Sequence, residues 1–77
     1  MNNSRRRRID LLLEQLEDLS EAIEEIKNEE EDAYENLPES IQDSERGEAM
    51  YEAVSYLEDA IGYLEGVTEG LTNAKGE

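Results

Sequence analysis

The chain has 77 residues, of which 22 are acidic and seven basic, for a formal net charge of −15. That length holds one domain with a modest core, and a charge of that size opposes a compact monomer while repelling nucleic-acid phosphates. With neither Cys nor His, disulfides, a thiolate nucleophile and an imidazole proton shuttle are all excluded.

In chain order, the first feature is Arg5-Arg6-Arg7-Arg8, which leaves only Lys27, Arg46 and Lys75 as bases from Ile9 onward. Leu11-Leu12-Leu13 follows, an apolar run far shorter than a secretory signal or the roughly 20 residues of a membrane span. A soluble cytoplasmic protein is therefore expected. From Ile9, steps of three and four give Leu12, Leu16, Leu19, Ile23, Ile26, Glu30, Ala33 and Leu37, a nearly unbroken apolar stripe. With Ser4 as N-cap and Pro38 as terminator, this predicts helix 1 over about 5–36. The corner at 37–43 holds Leu37-Pro-Glu-Ser-Ile-Gln-Asp43, where Pro38 suits the first turn of a short helix capped by Asn36. Ser44 or Asp43 then caps helix 2, over about 44–72, whose register is Met50, Val54, Leu57, Ile61, Leu64, Thr68 and Leu71, with Gly76 after its end. The prediction is a single all-α domain over 1–77, an antiparallel hairpin of two long helices.

The second helix carries more apolar surface than one neighbour can cover. Ala49, Ala53, Tyr56, Ala60, Tyr63, Val67 and Ala74 lie beside its main register and form a second seam. We expect self-association through Ala53, Tyr56, Ala60, Tyr63 and Val67, most simply as a two-fold homodimer forming a four-helix bundle with helix 2 nearer the centre. The alternative is that the seam receives a different protein.

Paired carboxylates such as Glu24 with Glu25 fall on predicted solvent faces, without the burial that separates acid from base roles, so no enzyme is expected. Neither the Glu-x-x-His pattern of helical di-iron sites nor an EF-hand loop is present, so no specific metal or other cofactor is expected. Asn28-Glu-Glu-Glu-Asp32 would attract calcium only as any acidic cluster does. The acidic face of helix 1 holds twelve carboxylates between Asp10 and Glu35. That is one charge per roughly 3 Å, close to the spacing of phosphates along one DNA strand. Glu21, Glu24, Glu25, Glu29, Glu30, Glu31, Asp32 and Glu35 are the candidate partner-binding residues, and a basic protein surface is the matching partner. An acidic helix that only keeps the chain soluble is the competing account. Compensation within the helix is sparse: Arg6 with Asp10, and Lys27 with Glu31.

Three further features stand out. Arg5–Arg8 sit at the positive end of the helix dipole, where cations are disfavoured, so a reach toward a sister subunit or toward nucleic acid competes with a frayed terminus. Gly62, Gly66 and Gly70 recur every four residues and imply either close backbone approach or a loose C-terminal half. Tyr51 falls outside both seams and is a candidate anchor.

The stretch Asn36-Leu-Pro-Glu-Ser-Ile-Gln-Asp-Ser-Glu-Arg-Gly-Glu-Ala-Met50, continued by Tyr51-Glu-Ala-Val-Ser-Tyr-Leu-Glu-Asp-Ala-Ile61, resembles short acidic helical proteins of Firmicutes and of their phages and prophages. The resemblance covers the corner and most of helix 2, and excludes the arginine run. It implies a mobile-element context within a bacterial host cell and assigns no catalytic or ligand residue. Combined with the acidic face, it gives the expectation of an inhibitor of a host nucleic-acid-handling or defence enzyme. A structural adaptor is the alternative.

Overall fold

A computed structural model describes residues 1–76; Glu77, the last residue of the expected single domain, lies outside the described residues. Helix α1 spans Asn3–Glu35, a short α2 spans Glu39–Gln42, and α3 spans Glu45–Lys75. The two long helices pack against each other as a hairpin. The result is a rod of 58 × 15 × 14 Å. Its radius of gyration is 17.4 Å, against about 11 Å for a compact domain of this length.

The helix ends differ in detail from expectation. Asn2, not Ser4, caps α1, its side-chain oxygen accepting from the Arg5 N–H at 2.8 Å. Asn36 closes α1 as its C-cap and does not start α2, whose cap position is Pro38. The last carbonyls of α1 are satisfied from the corner, where the Gln42 amide donates to the Tyr34 carbonyl at 3.1 Å. Ser44 precedes α3 as expected, yet its hydroxyl bonds back to the Ile41 carbonyl and not forward into the helix. At the far end α3 continues three residues past the expected boundary to Lys75. Gly76 stops it there with φ of 76°, a left-handed cap that glycine adopts freely.

The corner is tight because of Gly47. A Cβ there would collide with the Gln42 carbonyl oxygen, so only glycine lets α3 start directly against α2. Among the described residues only Gly47 and Ile9 are buried, and Ile9 keeps 9 % of its surface exposed.

The main departure is the rotational phase of α1. Ile9, Leu16, Ile23, Glu30 and Leu37 face inward as predicted. Between them, however, the inward positions belong to Leu13, Ser20, Lys27 and Tyr34. Leu12, Leu19 and Ile26 are 46 %, 48 % and 53 % exposed. Shifting those alternate positions by one residue turns the helix by roughly 50° about its axis. Long side chains at the new positions reach across to α3. Lys27 approaches Glu58 at 4.0 Å, and not Glu31. The Tyr34 and Tyr51 rings lie 6.0 Å apart, tilted by 58°. At the open end Lys75 meets Asp10 at 2.6 Å, and Arg6 Nε donates to the Lys75 carbonyl at 3.2 Å. In α3, by contrast, Met50, Val54, Leu57, Ile61, Leu64 and Leu71 are all half-buried as its register predicts, and only Thr68 of that series is exposed.

Candidate protein-interaction site

Three surfaces stand out on this rod. The first is acidic. Glu21, Glu24, Glu25, Glu29 and Asp32 line one shallow concavity on the outer side of α1, together with Asn28. All six are exposed, and none of the lining residues is basic. Spacing explains the grouping, since residues three, four and seven apart share one helix face.

The remaining candidates of the acidic set separate from this group. Glu30 turns inward and is half-buried beside Ile26, Ala53 and Leu57. Glu31 and Glu35 belong to a different hollow, with Tyr34, Tyr51 and Glu58. Tyr51 is thus no isolated anchor; its ring meets that of Tyr34 at a tilt while staying mostly exposed. Among the described residues, no three carboxylates gather closely enough to hold a metal ion.

The second surface is apolar and involves both long helices. Tyr56, Tyr63 and Val67 of the expected seam are 71 %, 75 % and 47 % exposed, while Ala53 and Ala60 are half-buried. Ile26 of α1 borders the same shallow hollow as Ala53. Leu12 and Leu19 precede Ile26 by fourteen and seven residues, and Ala60 and Val67 follow Ala53 by seven and fourteen. Each series therefore runs straight along its helix, and the two lie side by side on one face of the rod. On α3, every position of this face from Ala49 to Ala74 in steps of four and three is uncharged.

Comparison with protein-family models, curated proteins and solved structures finds no match to the chain.

The third surface is a groove on the opposite side. Leu13, Leu16 and Leu64 form its apolar floor, Ser20 and Thr68 leave it open, and Glu17, Glu21, Glu65 and Glu69 stand at its rim. Ser20 occupies an inward position where a Leu would close the seam. Glu21 borders both this groove and the acidic concavity, so the two join into one acidic surface. Sequence reasoning missed the groove because the inward role of Ser20 depends on the phase of α1. It missed the exposed leucine series for the same reason. No helix of the described residues is long and apolar enough to cross a membrane.

Proposed function

We propose that the chain is a non-catalytic protein-binding module that docks its acidic α1 surface on a basic protein groove of the kind that otherwise grips nucleic acid. The observation that carries this reading is the shared outer surface of Glu21, Glu24, Glu25, Glu29 and Asp32, which no basic side chain lines. Carboxylates held in a row on a rigid helix offer a phosphate-binding surface the charge pattern it is built to receive, already ordered before binding. We further propose a bacterial cytoplasmic target such as a nuclease or other defence enzyme, with the chain as its inhibitor, which is what the sequence resemblance of the corner and α3 implies. The hairpin works as a self-associated unit, a homodimer forming a four-helix bundle.

The test is a nuclease-treated pull-down from a bacterial host lysate, comparing the chain with a variant carrying Glu21→Gln, Glu24→Gln, Glu25→Gln and Asp32→Asn. The expected result is retention of one nucleic-acid-processing enzyme, released as salt rises, with at least about tenfold weaker binding by the variant. Equal retention by both proteins would reject the acidic docking surface.

A structural adaptor is the second reading, and the exposed apolar face favours it. In that case association tolerates salt and is lost on placing polar residues at Ala60 and Val67.

A further inference from the structure

We propose that the apolar face receives a second copy of the chain packed antiparallel to the first, with Leu19 of both copies at the two-fold axis and Arg8 of each set against Glu29 of the other. This deepens the self-association in the proposed function, since it assigns α1 an equal share of an interface that the sequence placed on α3.

The exposed area of the rod leaves room for a permanent partner. The accessible surface is 5848 Å², against about 4,800 Å² for a compact monomer of this mass. The excess of about 1,000 Å² is comparable with the roughly 800 Å² that one partner buries in a stable interface. Leu12, Leu19, Ile26 and Val67 are each about half exposed, so a lone hairpin leaves much of its apolar surface wet. Among the described residues Ile9 alone is a buried apolar side chain.

Charge selects the occupant and its direction. Within this face on α1, Arg5 and Arg8 lie at one end and Glu29 at the other, separated by uncharged positions. Residues 1–10 carry four arginines against Asp10, while 24–35 carry seven acids against Lys27. A parallel pair would set acid on acid and arginine on arginine; an antiparallel pair sets the arginine end of each copy on the acidic end of the other. The register follows from length. Leu19 is the midpoint of Asn3–Glu35, so greatest overlap of two α1 helices centres there. Leu12 then meets Ile26 of the second copy, and Arg8 falls opposite Glu30 and one residue from Glu29, which shares its face. Glu30 borders the same face, half-buried and with no cation within ion-pair distance among the described residues. The arginines of a second copy would supply one.

The chain has no Cys, so single introduced thiols report the arrangement cleanly. Sedimentation equilibrium of the unmodified protein should give two chains per particle. On mild oxidation L19C should link to itself, L12C should not, and an equal mixture of L12C and I26C should form the mixed dimer. R8E should weaken dimerisation by about tenfold, and the swap R8E/E29R should restore it. A monomer, or an assembly of other than two chains, would overturn both this arrangement and the homodimer of the proposed function. A dimer in which L12C links to itself as readily as L19C would leave self-association standing and overturn the antiparallel packing.

Discussion

Gly47 shows how one residue fixes the geometry of the whole hairpin. Its Cα lies so close to the Gln42 backbone that any side chain would force the corner apart. Gly47→Ala should therefore lower stability by about 2 kcal/mol in urea unfolding, because the obstacle is backbone and cannot rotate away. Gly62 and Gly66 are the opposite case: a Cβ at either meets nothing within 4 Å. Gly62→Ala and Gly66→Ala should each raise stability by up to about 1 kcal/mol through helix propensity alone. Stabilisation by Gly47→Ala would refute the tight corner, and losses at Gly62 and Gly66 would reveal a backbone neighbour. Nothing in the sequence separates these glycines. Spacing drew attention to the regular trio, whereas the demanding position is the isolated one, and only proximity to α2 makes it so.

At the scale of the element, α1 carries two adjacent apolar rows that share Ile9, Leu16 and Ile23. One row continues through Leu12, Leu19 and Ile26, the other through Leu13, Ser20, Lys27 and Tyr34. The first is the more apolar, which is why periodicity selects it. It is nevertheless the second that faces α3, where Lys27 and Tyr34 cover the seam with their stems and rings. This leaves a gap at Ser20, opposite Leu64 and Thr68. Ser20→Leu should close the groove and raise the unfolding midpoint by an amount equivalent to about 1 kcal/mol. A drop would mean that the groove is too narrow for the larger side chain. The register of α3 was legible in the sequence because Met50, Val54, Leu57, Ile61 and Leu64 have no rival row as rich in large aliphatic residues.

For the whole molecule, charge acts in opposite directions on folding and on the proposed binding. At −15 the rod repels itself, and nearly all its acids lie in water. Raising salt from low to moderate concentration should therefore increase its thermal midpoint while weakening the proposed grip on a basic partner. A midpoint that fell with salt would mean that ion pairs such as Asp10–Lys75 outweigh the net repulsion. By itself the sequence determined the helices, their antiparallel pairing and the surplus of apolar surface, because these follow from periodicity, a short corner and composition. It also grouped eight acids from Glu21 to Glu35 on one face of α1, of which the structure keeps Glu21, Glu24, Glu25, Glu29 and Asp32 together. The tertiary structure alone decided which apolar row of α1 turns toward α3. That choice goes with the reach of Lys27 and Tyr34 across the seam to Glu58 and Tyr51. With it came the inward turn of Glu30, the groove at Ser20 and the exposed series of Leu12, Leu19 and Ile26. A helix displays all its faces equally until a neighbour at a fixed angle covers one of them.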